Sequence, residues 1–146
     1  YVPVGYHRSM ERFKRAKDLD IDVVFSGAIN ERRAKVLNAL QARGLKVVVV
    51  PIRLYGRGRD ALLARAKLAL NMLFYPDGVF PALRVAHLVA NRVPVLSETC
   101  LEGWSMIPTC PYEELVDATE RAIKEGPSLA EFCYQRFIQQ PMVLPS

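Results

Sequence analysis

The sequence predicts an open α/β sheet, on three observations: short apolar runs without polar alternation, helical patterns between them, and polar residues gathered at the run ends. The runs are DVVFSG at 22–27, LKVVVVPI at 45–52, LALNML at 68–73 and VPVLSE at 93–98. A strand covered on both faces of a parallel sheet reads as a continuous apolar stretch. Ligands of such sheets lie beyond the carboxyl ends of the strands, so Ser26, Gly27, Asn30, Arg53, Asn71 and Glu98 fall where a site is expected.

Residues 1–21 read as a lead-in with one helical turn in the charged run MERFKRAKDLD, and residues 22–146 as a single domain. After the first strand, Asn30 caps a helix from Glu31 to about Arg43, with Val36, Leu37 and Leu40 as its buried stripe and Gly44 as its stop. The second strand passes into the glycine-containing loop LYGRGR, and Asp60 is expected to cap a short helix that turns Leu62, Leu63 and Ala66 inward. A turn at Tyr75, Pro76, Asp77 and Gly78 follows the third strand. Pro81 suits the first position of the next helix, where its missing amide costs no hydrogen bond. That helix, to about Asn91, is apolar except at Arg84, His87 and Asn91 and is expected to be largely buried.

WSMIPT at 104–109 reads as a fifth, edge strand limited by Pro108 and Pro111. A helix then starts at Pro111 and stops at Gly126, its acids early and its bases late. A last helix opens at Ser128, spaced for a capping box with Glu131, and runs to Pro141.

With 51% hydrophobic and 24% charged residues over 146 positions, the composition is that of one globular domain. No apolar run approaches the ~20 residues of a membrane span, so a soluble protein is expected. The net charge of +5 suits nucleic acid, an anionic surface or a phosphorylated small molecule. The basic and aromatic interleaving of a single-strand binder is missing, as is a recognition-helix signature, so no nucleic-acid partner is expected. Cys100, Cys110 and Cys133 are odd in number and lack metal-type spacing, which points to free thiols in a reducing compartment, the cytoplasm, and to no metal site. The opening YVPVGYH has no initiator Met and reads as part of a longer protein.

FSGAINERR at 25–33 joins a glycine just past a strand to a helix start bearing Arg32 and Arg33. Free amides at a helix N-terminus together with guanidiniums suit phosphate or diphosphate; a tight turn with solvated arginines is the competing reading. Only one glycine is present, so this is no dinucleotide fingerprint, and GRGRD at 56–60 lacks the lysine and hydroxyl of a phosphate-binding Walker loop. Glu98 at a strand tip suits a ribose diol or sugar hydroxyl, or equally capping of the loop or pairing with a nearby arginine. Arg84 and His87 share a helix face. Arg84 needs an anion or carbonyl: a ligand phosphate, or a carboxylate such as Glu98. His87 reads as a satisfied core histidine more readily than as a base. Asn71, in an apolar strand, must bond to loop backbone or to ligand. No nucleophile and base pair stands out, so the chain is expected to supply binding and electrostatics rather than the base of a reaction.

The block DIDVVFSGAINERRAKVLNALQARGLKV and the run GRGRDALLARAKLALNMLFYPDGVFPALRVAHLVANRVPVLSE resemble the C-terminal half of bacterial glycosyltransferases of the GT-B fold, in the group that includes spore-coat-type enzymes. The resemblance implies a Rossmann-like sheet with helices on both faces that binds a nucleoside diphosphate sugar without metal or other cofactor, facing an N-terminal acceptor-binding domain of the same protein. This chain alone is then expected to be inactive. Gly27 resembles the close-approach glycine below the diphosphate, Arg32 or Arg33 a diphosphate ligand, and Arg84 the arginine facing the donor. Asn71 and Tyr75 resemble strand-tip groups near the nucleotide. Two positions depart from the pattern: Pro81 stands where an acid commonly follows Phe80, and His87 where a ribose-binding glutamate is expected. Either Glu98 substitutes, or donor binding is altered or lost and the chain is a non-catalytic interaction module.

Overall fold

The computed structural model describes residues 4–100 and 104–140. Five parallel strands, β1 Ile21–Ser26, β2 Val47–Val50, β3 Ala66–Asn71, β4 Val95–Glu98 and β5 Thr109–Cys110, form one sheet in the order β2-β1-β3-β4-β5. The helices are α1 Glu31–Ala42, α2 Gly56–Ala64, α3 Ala82–Ala90 and α4 Leu115–Phe137. This is the α/β, open Rossmann-like sheet that the apolar runs predict. Its central strands are buried on both sides: Ile21, Val23, Val24, Phe25, Leu68, Ala69 and Leu70 are all nearly inaccessible. The chain leaves β1 toward β2 and then crosses back to β3 on the other side. Right-handed crossovers therefore set α1 on one face and α2 on the other.

Several local expectations are corrected. β2 is shorter than 45–52, because Pro51 cannot donate to the ladder. The helix expected to begin at Asp60 begins at Gly56 with Tyr55 at its cap, and Ala66 opens β3 rather than closing that helix. Asp60 lies inside α2 because its carboxylate has a partner on α3, which outcompetes a local cap. At Gly58 a Cβ would stand 2.6 Å from Leu54 Cδ1, so the Leu54 side chain would have to shift to admit one. Pro81 sits one residue ahead of α3, and Leu83 on that helix is 76% exposed against the expectation of burial. The fifth strand is only Thr109–Cys110, beyond Pro108. A 3-10 turn, Tyr112–Glu114, precedes α4, which breaks at Gly126 (φ 44°) before Pro127, where the sequence signals two helices. The Ser128–Glu131 capping box does not form. Ser128 Oγ donates to the Glu125 carbonyl, and Glu131 accepts from Arg92 and Gln135.

The lead-in is fastened to the domain. Asn91 Oδ1 accepts from the amides of Arg12 and Phe13, and its Nδ2 donates to the Met10 and His87 carbonyls. Arg15 donates to the carbonyls of Leu63, Ala64 and Ala66, where α2 turns into β3. The helical turn of the lead-in is the 3-10 segment Arg8–Met10, which ends on the first residue of the charged run where it is expected, and residues 11–20 form no helix.

Candidate functional site

The direction of the chain reverses between β1 and β3, so the crevice of this sheet opens where their carboxyl ends separate. The first turn of α1 closes much of it. Asn30 Nδ2 donates to the Phe74 carbonyl at 2.7 Å, Arg32 Nη1 to that of Leu73 at 3.0 Å and Arg33 Nη2 to that of Met72 at 2.7 Å. Three consecutive carbonyls after β3 are thus held by three side chains of one helix start. Asn30 also caps α1, its Oδ1 accepting from the Arg33 amide at 2.9 Å.

Arg32 and Glu98 are committed to each other. Nη1 reaches Oε1 at 2.7 Å and Nη2 bonds Oε2, while the Leu73 amide donates to Oε1 at 3.0 Å. The Arg32 guanidinium lies 4.1 Å above the Tyr112 ring, and the Tyr112 hydroxyl donates to the Arg32 carbonyl at 2.8 Å. The bond from Glu98 pulls the Arg32 pKa up against the opposing effect of burial. Both oxygens of Glu98 are occupied and the residue is buried, which matches the arginine pairing and loop capping that the sequence equally allows. Arg32 for the same reason is turned from the expected diphosphate contact.

Gly27 takes φ 139°, a conformation that favours glycine, and a Cβ there would stand 3.1 Å from Arg33 Nη1 and 3.6 Å from Arg84 Nη1. Two of the four arginines singled out in the sequence, Arg33 and Arg84, therefore converge on this turn. Arg33, 8% exposed, lies between the rings of Phe25 and Phe74, 5.1 and 5.2 Å from their centres. Its Nη1 donates to the Ala28 carbonyl at 2.7 Å, and its Nε has no partner. Burial, then the positive charges of Arg84 and Arg32, push its pKa down. Arg84 is exposed and donates to the Ser26 carbonyl at 3.1 Å. Among the described residues neither Arg33 nor Arg84 meets a carboxylate.

Arg84 stands between two cavities. The larger, about 500 Å³, lies between the ends of β1 and β2 and the helices α2 and α3, with Gly27, Tyr55, Arg59, Leu83 and His87 in its mostly apolar wall. A smaller one, about 200 Å³, is bordered by Arg33, Tyr75, Gly78, Pro81 and Arg84. Tyr75 is 63% exposed and packs edge-on against Phe74. Asn71 borders neither cavity: it is buried, with Nδ2 donating to Ser97 Oγ at 3.0 Å and Oδ1 unpartnered.

His87 is where sequence reasoning fell short. Its Nε2 lies 2.9 Å from Asp60 Oδ1, a pairing concealed by reading Asp60 as a cap. The available signal was an acid among the apolar residues of α2. Arg59 Nη2 is 3.5 Å from the same oxygen. Among the described residues no group of three or more His, Cys, Asp and Glu could hold a metal ion, and no helix is long and apolar enough to cross a membrane. Cys100, Cys110 and Cys133 are free thiols.

Fold and edge together define an open parallel α/β domain with the guanidiniums of Arg33 and Arg84 meeting beside Gly27 at its strand tips. No family model matches the chain. It is similar to three proteins of Acanthamoeba polyphaga mimivirus. It is 26% identical to uncharacterized protein L138 over 136 residues, covering 85% of this chain and 15% of that protein. To uncharacterized protein L140 it is 29% identical over 132 residues, covering 82% and 43%. To uncharacterized protein L137 it is 24% identical over 136 residues, covering 85% and 19%. The chain thus spans less than half the length of each of these relatives.

Proposed function

We propose that this chain is the nucleotide-sugar binding domain of a glycosyltransferase, which transfers a sugar from a nucleoside diphosphate sugar to an acceptor. The observation that carries the reading is the convergence of Arg33 and Arg84 beside Gly27 with no carboxylate on either. Two adjacent cations raise each other's energy, and a diphosphate relieves both. The larger cavity has the volume of a small-molecule site and an apolar wall for the base. No metal or other cofactor is invoked, since guanidiniums take the charge of the leaving diphosphate. The partner in this reading is an N-terminal acceptor-binding domain of the same protein, and the compartment is the cytoplasm, with which three free thiols agree.

Calorimetric titration with UDP, GDP and their sugars tests the reading. Heat of binding together with a shift of the Gly27 amide resonance is expected; silence from every ligand defeats it.

A second reading has its own support. Ile29, Ile52, Tyr55, Tyr75, Val79 and Leu83 are exposed, and all belong to segments that follow the carboxyl ends of β1, β2 and β3. A non-catalytic interaction module would use such an edge to hold a protein partner. Nucleotide binding that leaves Tyr55 and Leu83 unperturbed would favour that module for the apolar rim.

A further inference from the structure

We propose that Asp60 and His87 form a proton-accepting pair in the wall of the larger cavity, with His87 as the general base for the hydroxyl that attacks the donor sugar. Asp60 is the positioning residue. The inference rests on the donor-binding reading above and adds to it the group that takes the proton.

The geometry points this way on four counts. First, His87 Nε2 lies 2.9 Å from Asp60 Oδ1. Arg59 Nη2, a donor, stands farther off at 3.4 Å from the same nitrogen, so the nearer carboxylate sets the tautomer: Nε2 carries the hydrogen and Nδ1 keeps the lone pair. Second, Asp60 is 8% exposed and is itself held, with Arg59 Nη2 3.5 Å from its Oδ1. An ionised acid behind a histidine holds one tautomer and stabilises the imidazolium formed when a proton is taken up. Third, the ring is held from outside the pair. Phe13 of the lead-in packs against it, with ring centres 5.8 Å apart. Asn91 ties that lead-in, through Arg12 and Phe13, to the His87 carbonyl. Fourth, His87 borders the same cavity as Arg84, which lies one turn earlier on the same helix face. A carboxyl and an imidazole beside so apolar a wall are a costly arrangement for packing alone.

In the step, the hydroxyl oxygen bonds to the anomeric carbon as the bond from that carbon to the diphosphate oxygen breaks. The electron pair departs with the nucleoside diphosphate, whose charge faces Arg84. The hydroxyl proton passes to His87 Nδ1. Transfer to an acceptor requires the opposite wall of a cleft. Transfer to water does not, and it yields free sugar and nucleoside diphosphate.

The test uses this chain with UDP- and GDP-linked hexoses, following release of nucleoside diphosphate from about pH 5 to pH 9, alongside calorimetric binding of UDP and GDP. Slow release that falls on the acid side is expected. His87→Gln should cut release at saturating donor about 100-fold or more. Asp60→Asn should slow it and displace the acid limb of the profile, which a merely structural role would not do. Should either variant fail to fold, nitrogen-15 shifts of the wild-type imidazole decide, since they must place the hydrogen on Nε2. Undiminished release by His87→Gln, an unmoved acid limb in Asp60→Asn, a hydrogen on Nδ1, or a wild type that binds nucleotide but releases none would each overturn the proposal. A wild type that binds no nucleotide sinks the donor-binding reading itself, and the proposal with it.

Discussion

Arg32 at the start of α1 and Glu98 at the end of β4 are joined by two parallel hydrogen bonds across 66 positions of sequence. The pair ties the first helix to the strand two places across the sheet from β1, and through the Leu73 amide it holds the loop after β3 as well. Charge at the strand tips is therefore of two kinds: that of Arg32 is neutralised within the fold, whereas that of Arg33 and Arg84 is not.

Arg32→Met should destabilise the protein by about 3–5 kcal/mol, because it leaves the buried Glu98 carboxylate with the Leu73 amide as its remaining partner. Adding Glu98→Gln should recover most of that loss. The amide oxygen still accepts from Leu73, and no buried charge is left unpaired. Urea unfolding of the two single variants and the double variant measures the coupling; additive losses would show that the pair is not the source of the cost.

Arg84→Ala and Arg33→Met should behave differently. Arg84 is exposed and makes one bond to the protein, so its loss should change stability by no more than about 0.5 kcal/mol. On the donor-binding proposal, Arg84→Ala should nonetheless weaken diphosphate binding by about 1.5–3 kcal/mol, the worth of a charge-assisted hydrogen bond. Arg33→Met strips the buried Met72 carbonyl of its donor, at about 1–3 kcal/mol, and removes the bond to the exposed Ala28 carbonyl as well. Binding and folding should fail together there. Thermal unfolding beside calorimetry separates the two cases.

This contrast marks what was legible in the sequence. Continuous apolar runs reveal β1, β3 and β4 because burial on both faces removes polar alternation, and Asn30 reveals α1 because a cap acts within three residues. The roles of Asn30, Arg32 and Arg33 beyond the cap were hidden because their acceptors are the backbone carbonyls of Met72, Leu73 and Phe74, which carry no side-chain signature. Asp60 was misread for a related reason. Its partner His87 is 27 positions away, and cap rules see only neighbours. Convergence at Gly27 was legible in outline, since the topology brings the ends of β1 and the start of α3 together, but which arginines remain unpaired depends on packing.

Glu11 should make stability depend on pH at both ends of the range. It accepts from the hydroxyls of Tyr6 and Tyr134 and pairs with Arg92, fixing the lead-in to α4. The bond from Tyr6 leads the causes that lower its pKa, so its contribution is complete above the unfolded value of about 4.3 and is lost as pH falls through the lower folded value. The same bond raises the Tyr6 pKa. That contribution is complete below about pH 10 and is lost as pH rises through the raised value. Urea midpoints against pH for the wild type and Tyr6→Phe give the check: the variant should flatten both limbs. An unchanged profile would remove Glu11 and Tyr6 as its source.

Cys133 should resist alkylation in the folded protein. It is 2% exposed, and burial pushes its pKa up to about 11, so at pH 8 only about one thiol in a thousand is ionised even when it is reached. Cys110 is also buried, whereas Cys100 is half-exposed. Iodoacetamide with peptide mass mapping should therefore modify Cys100 first and Cys133 only in denaturant. Because α4 carries Cys133 beside Phe137 in the core, its labelling rate at rising urea should follow global unfolding. Labelling well below the unfolding midpoint would mean that α4, beyond its break at Gly126, opens on its own.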